Sequence, residues 1–252
     1  MARYFLELMY DGTAFHGSQL QGYLPTVQLA VNKALTTLCG TAIESFGASR
    51  TDEGVHALCN FYHFDIEQEL HPHFLYKINS ILPHTIALKK IYLVNGDMNA
   101  RFNALARTYR YRIYKKKDPF LYKRACYYPL KIQPAVLHLT AAILKEYQHF
   151  EAFSKRKTQA KTFTCNIFQS RWEQQGDELH YIVEGNRFLR GMVRGLVGTQ
   201  LQVAREKCSI DDFRKIIESA DCTKADFSVP GHGLYLENIS YPPGSLTELD
   251  LK

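Results

Sequence analysis

Arg50 and Asp52 stand two positions apart in the run Gly47-Ala48-Ser49-Arg50-Thr51-Asp52-Glu53-Gly54-Val55-His56-Ala57. Strand-like sequence lies on both sides, and the flanking glycines mark a turn-prone loop. Such a loop can present a carboxylate to a substrate, with a guanidinium beside it for an anionic partner. In isolation an R-x-D pair is a surface ion pair of little worth, so these residues must be read with the rest of the chain. A second set is basic and aromatic. Arg101, Arg107, Arg110, Arg112, Lys115, Lys116 and Lys117 fall within seventeen positions, interleaved with Phe102, Tyr109, Tyr111 and Tyr114. Lys155, Arg156, Lys157 and Lys161 form another basic run. Cations mixed with rings suit a polyanion whose bases can stack; a solvated face is the plain alternative. His71 and His73 make an H-x-H near His63, but no second cluster completes a ligand set, so no metal is expected.

The elements that must position these residues alternate regularly. A strand over 3–10 closes at Asp11-Gly12, and a polar loop runs to Pro25. Thr26 can cap a helix over 27–39, with Val27, Ala30, Val31, Ala34, Leu35 and Leu38 at helical spacing and Gly40 as its stop. Strands are expected at 42–48 and 57–66 around the 50–56 loop, then a helix over 72–81 ended before Pro83, and a strand at 85–94. That order, β-α-β-β-α-β, is the ferredoxin-like split unit. Residues 95–106 lead to a second series: a strand at 107–115, a helix from Pro134 to 146, and strands at 162–173 and 178–186 joined by a Gly176-Asp177 hairpin turn. Helices at 187–204 and 210–220 and a strand at 234–240 complete it. Without the extra helix the order is again β-α-β-β-α-β. The expected fold is α+β, with halves 1–105 and 106–252 joined into a mixed, mainly antiparallel sheet, helices on one face and a central cleft. The tail from Pro242-Pro243-Gly244-Ser245 reads as a terminal turn followed by fraying.

Composition narrows the classes. The chain has 252 residues, 46% of them hydrophobic, which is enough for a substantial core. No run approaches the eighteen or so consecutive apolar residues of a membrane helix. The opening Met1 to Tyr10 is too short, and too interrupted by Glu7, for a signal peptide, so a cytoplasmic protein is expected. The six cysteines form no C-x-x-C and read as reduced thiols. A formal net charge of +6 is moderate, and its clustering says more than its size.

Motifs along nearly the whole chain resemble those of the bacterial TruA family of tRNA pseudouridine synthases. Ser49 to Ala57 is similar, almost letter for letter, to the family's catalytic loop. Tyr10-Asp11-Gly12-Thr13 with Phe15-His16-Gly17-Ser18-Gln19 and Gln21 resembles its opening, with Ser18 where an aromatic is usual. Ala100-Arg101-Phe102-Asn103-Ala104 leads to Arg107-Thr108-Tyr109-Arg110-Tyr111 and is similar to its H-A-R-F…R-x-Y-x-Y, with Asn99 in place of His. Gly185 to Arg194 with Gly198 resembles its G-x-x-F-L-x-x-M-V-R…G helix start. Val229-Pro230-Gly231-His232-Gly233-Leu234-Tyr235-Leu236 resembles its closing segment. Thr164-Cys165-Asn166 stands where the family often carries an Arg, and Lys224 replaces an Arg before the closing segment.

The resemblance implies isomerisation of uridine to pseudouridine in the tRNA anticodon arm, at positions 38, 39 and 40, by a cofactor-free homodimer. It makes Asp52 the catalytic nucleophile, Arg194 its charge partner from the other half, Tyr109 the active-site tyrosine and Leu189 an apolar wall of the base pocket. Arg50 would handle RNA beside an extruded base. Chemically, a carboxylate can serve as nucleophile or base at the sugar, a guanidinium partner favours its ionised state, and a tyrosine ring can stack on a flipped base. The basic residues Arg107, Arg110, Lys115, Lys116 and Lys117 are the candidate tRNA contacts. One alternative is a non-catalytic RNA-binding protein on the same scaffold, against which intact Asp52, Tyr109 and Arg194 argue. A glycosidase would need a second carboxylate, and Glu53 is badly placed for that in an extended loop.

Overall fold

β1 (Ala2–Tyr10) is buried along most of its length, as expected of a strand with neighbours on both edges and cover on its faces. The computed structural model describes residues 1–156 and 160–251. Lys157, part of the second basic run, lies outside the described residues. The chain divides into two units, Met1–Leu105 with Tyr235–Lys252, and Ala106–Leu234.

In the first unit, α1 (Val27–Cys39) starts where Thr26 accepts a hydrogen bond from the Leu29 N–H at 3.3 Å and stops at Gly40, whose φ is +70°. The short β2 (Phe46–Gly47), β3 (His56–Ile66), α2 (Phe74–Ile81) and β4 (Ile86–Val94) follow. β1 pairs antiparallel with β3 on one edge and β4 on the other, and β2 adds to β3. Phe5, Leu6, Leu8, Leu35, Tyr62, Phe64 and Phe74 are fully buried at its core.

The second unit opens with β5 (Ala106–Tyr114), which buries Tyr109, Tyr111 and Ile113 at alternate positions. β6 (Cys126–Tyr127) runs parallel to its end. α3 (Pro134–Ile143) begins with proline in its first turn. β7 (Ile167–Gln175) and β8 (Glu178–Gly185) form a hairpin, and β8 also pairs antiparallel with β5. α4 (Met192–Ala204) is almost wholly buried, and α5 (Ile210–Glu218) starts in a Ser209–Asp212 capping box. Phe150, Phe153, Leu196 and Phe213 fill this core, where Trp172 Nε1 donates to the Gln200 side-chain oxygen Oε1 at 2.9 Å. β9 (Leu234–Ser240) pairs in parallel with β3, and β10 (Thr247–Glu248) pairs antiparallel with β4.

The architecture is therefore mixed α+β, with mainly antiparallel pairing and five α-helices among the described residues. Five local expectations change, one being the strand expected at 162–173, which begins only at Ile167. Residues 235–252 belong with the first unit rather than the second half, because β9 and β10 bond to β3 and β4. The strand expected at 42–48 shrinks to Phe46–Gly47. Side chains of α1 take the preceding backbone groups: Thr36 Oγ1 accepts the Ile43 N–H, Asn32 Oδ1 accepts the Ser45 N–H, and Gln28 donates to the Ser45 carbonyl. The helix expected from 187 starts at Met192, after Gly191 at φ +74°, because Asn186 and Arg190 bond instead to Asn166 and Lys155. The tail does not simply fray. Glu248 pairs with Lys90 at 2.7 Å, and the Leu249 N–H donates to the Ile91 carbonyl.

Candidate active site

The loop carrying Asp52 joins β2 to β3, and other parts of the first unit hold its backbone. Gly12 packs so closely on it that an added Cβ would lie 2.0 Å from the Val55 carbonyl oxygen. The Gly54 N–H donates to the Phe15 carbonyl, and the turn Asp52–Val55 closes through the Val55 N–H and the Asp52 carbonyl at 3.2 Å. Ser18, 2% exposed, donates its N–H to the Thr51 carbonyl at 3.0 Å, and its Oγ accepts the Thr51 N–H at 2.8 Å. The same hydroxyl donates to the Ser49 carbonyl at 3.4 Å. Beneath them, fully buried Asn60 donates to the Ser49 carbonyl at 3.0 Å and to the Tyr10 hydroxyl at 3.1 Å. The Tyr10 hydroxyl lies 2.9 Å from Thr51 Oγ1. Burial pushes the Tyr10 phenol up to about 12, so it stays a neutral hydroxyl at physiological pH. On this support Asp52 is half-buried and Arg50 exposed. Glu53 points outward, with its carboxylate 3.6 Å from His16.

Of the other expected site residues, Tyr109 and Arg194 sit on regular elements of the second unit and Leu189 in the irregular segment before α4. Tyr109 lies mid-way along β5, where its ring meets the Phe188 ring edge-on, with centroids 5.2 Å apart. Leu189, next to that phenylalanine in sequence, is buried. Tyr111 shares the alternation of Tyr109 but donates its hydroxyl to the Pro230 carbonyl at 2.9 Å, and burial raises its phenol well above the usual range. Arg194 stands in the first turn of α4. Its Nε donates to the Val229 carbonyl at 2.8 Å and its Nη2 to the Phe227 carbonyl at 3.3 Å. Two carbonyls thus orient the guanidinium plane.

The structure divides the basic run. Arg107 donates to the Asn186 carbonyl at 2.8 Å, and Arg110 lies 3.3 Å from both Gln175 Oε1 and His180 Nδ1. Arg112 forks onto Glu178 at 2.7 and 2.8 Å. These arginines brace β5 against β8 and its ends. Lys115, Lys116 and Lys117, just past β5, are exposed, and Phe120 and Tyr122 beyond them are exposed rings. In the second run Arg156 and Lys161 are exposed, while Lys155 lays its aliphatic stem against Gly191.

Sequence reasoning gave no role to two supports. The closing segment 227–230 holds Arg194 and Tyr111 through its carbonyls, which residue identities do not reveal. Asn60 was visible as a polar residue inside the apolar run of β3, and burial of such a side chain requires partners. Among the described residues no group of three His, Cys, Asp or Glu side chains is placed to hold a metal ion. No helix among them is long and apolar enough to cross a membrane.

Comparison with known proteins gives a consistent picture. A family profile described as tRNA pseudouridine synthase matches residues 147–242. The chain is 41% identical over 244 residues to a tRNA pseudouridine synthase A of Parabacteroides distasonis, covering 96% of this chain and 97% of that protein. It is 43% identical over 246 residues to that of Bacteroides fragilis, covering 95% and 96%. With the Staphylococcus saprophyticus protein of the same description the identity is 30% over 249 residues, covering 98% and 93%.

Proposed function

This chain belongs to the tRNA pseudouridine synthase A family, and on that premise we propose that it isomerises uridine to pseudouridine in the anticodon stem-loop of tRNA, with Asp52 as the nucleophile. The reaction breaks the bond from the sugar to the base nitrogen and makes one from the sugar to C5 of the base. The C5 proton leaves and the freed nitrogen gains one, so the composition of the nucleotide is unchanged. A carboxylate that adds and departs splits this exchange into two easier steps. Asp52 is the carboxylate in this reading, Arg194 its charge partner, Tyr109 the residue that meets the flipped base, and Leu189 an apolar contact for it. Arg50, exposed two residues from Asp52, handles the RNA strand.

The observation that carries the reading is similarity along nearly the entire chain to proteins of one described activity. The exposed lysines 115–117, beside the rings of Phe120 and Tyr122, support tRNA contact through phosphates and stacking. Arg107 and Arg110 contribute positive field from within their intramolecular contacts. In the same reading the enzyme is a cofactor-free homodimer working in the cytoplasm. We also read each unit as a variant of the split β-α-β motif, a reading supported by the strand orders β4-β1-β3-β2 in the first and β5-β8-β7 in the second. The test is pseudouridine mapping in tRNA from cells with and without this chain. Loss confined to the anticodon arm is expected; an unchanged map contradicts the proposal.

A further inference from the structure

Ser18 bonds to three consecutive peptide groups of the loop. Its hydroxyl donates to the Ser49 carbonyl, which belongs to the Ser49–Arg50 peptide. The same oxygen accepts the Thr51 N–H, which belongs to the Arg50–Thr51 peptide. Its own N–H donates to the Thr51 carbonyl, which belongs to the Thr51–Asp52 peptide. Peptide groups are rigid planes, so fixing consecutive planes fixes the φ and ψ angles between them. The next plane, Asp52–Glu53, is held by the Val55 N–H on the Asp52 carbonyl. Both backbone torsions of Asp52 are therefore bounded by hydrogen-bonded planes, and so are those of Arg50.

We propose that Ser18 is a positioning residue for the reaction, setting the mutual placement of Arg50 and Asp52 through the three peptide groups it grips. The proposal rests on the reading of Asp52 as nucleophile. Ser18 itself is too buried to meet a substrate, and Tyr62 closes it in by donating its hydroxyl to the Ser18 carbonyl at 3.3 Å. Tyr10 and Asn60 act on the same strip from below, through Thr51 Oγ1 and the Ser49 carbonyl. Every member of this cluster is uncharged, so it holds the loop without adding a charge of its own beside the Asp52 carboxylate. The cluster suits a role in placement because a small displacement of a reacting group costs far more in rate than in binding. A serine is the side chain that serves here. It is short enough to stay beside the Thr51 backbone, and its hydroxyl both accepts and donates.

The experiment measures single-turnover release of tritium from C5-labelled uridine in tRNA, tRNA binding, and amide hydrogen exchange at Thr51. Wild type, Ser18→Ala, Ser18→Thr and Asp52→Asn are compared, with thermal melts as the folding control. Expected is a fall of about tenfold or more in the rate for Ser18→Ala. Its tRNA affinity should stay within about twofold, and Thr51 exchange should be faster. Ser18→Thr, which keeps the hydroxyl, recovers most of the rate. A Ser18→Ala rate within twofold of wild type overturns the proposal. So does a rate loss that Ser18→Thr shares in full, or one that follows the fraction unfolded. If Asp52→Asn turns over normally, the reading beneath the proposal has failed; if only Asp52→Asn is impaired, the positioning role alone has failed.

Discussion

Asp52 is carried on irregular chain, whereas Tyr109 lies mid-strand in β5 and Arg194 in the first turn of α4. The two settings fix a side chain by different means. Around Asp52 the backbone has almost no ladder partners, and its groups are satisfied by Ser18, Asn60 and the 12–17 segment. Tyr109 inherits its place from the β5–β8 ladder, where it stands opposite Val183. Arg194 inherits its place from helix geometry, and the Phe227 and Val229 carbonyls then aim its guanidinium. The loop thus depends on a few side chains, Asn60 eleven positions away and Ser18 thirty-one to thirty-three positions away, while the strand and helix depend on repeated backbone bonds. Single substitutions under the loop should therefore disturb function disproportionately, and equivalent ones beside β5 should mostly disturb stability.

The largest effect that would test this contrast is Gly12→Ala. The new methyl would meet the Val55 carbonyl oxygen, a backbone atom that cannot rotate away. We expect a loss of about 3 kcal/mol in stability and turnover reduced at least tenfold even in the folded fraction. Chemical denaturation with an activity assay at low temperature checks both, and a fully active Gly12→Ala would break the account of the loop. Next is Arg194→Lys, which keeps the charge but cannot use two carbonyls to orient a planar fork. A fall in turnover of about a hundredfold with modest loss of stability is expected from steady-state kinetics and melts. The smallest effects come from the paired variants Tyr109→Phe and Tyr111→Phe. The second leaves the Pro230 carbonyl without its donor and should cost about 1 kcal/mol with near-normal turnover. The first should lower turnover with little change in melting. Reversal of that pattern would show that the i+2 neighbour, Tyr111, is the active-site tyrosine.

Parts of this organisation are legible in the residues alone. Thr26 and Gly40 bound α1 because each satisfies a helix end locally. The glycine-flanked loop of 47–57 is visible because its turn-prone residues mark it locally. What is hidden depends on distant partners. The 42–45 segment looks like a strand by composition, yet Gln28, Asn32 and Thr36 of α1 take its backbone groups. Thr247–Glu248 has no strand signature and pairs because β4 offers an edge. The 187–191 stretch has helical residues, but Gly191 in the left-handed region ends any helix that would pass through it. At the site, Ser18 stood out as a departure from a family pattern. Its grip on Thr51 spans thirty-three positions, and no local pattern announces it.

The central claim is that the Asp52 carboxylate performs the chemistry while the surrounding residues bind and place the RNA. Its most direct test is tritium release from C5-labelled uridine in tRNA by Asp52→Asn, a near-isosteric change that removes the charge and replaces one acceptor oxygen by an NH2 donor. The account predicts turnover lowered by at least about a thousandfold with tRNA binding retained. Undiminished tritium release by Asp52→Asn would contradict it.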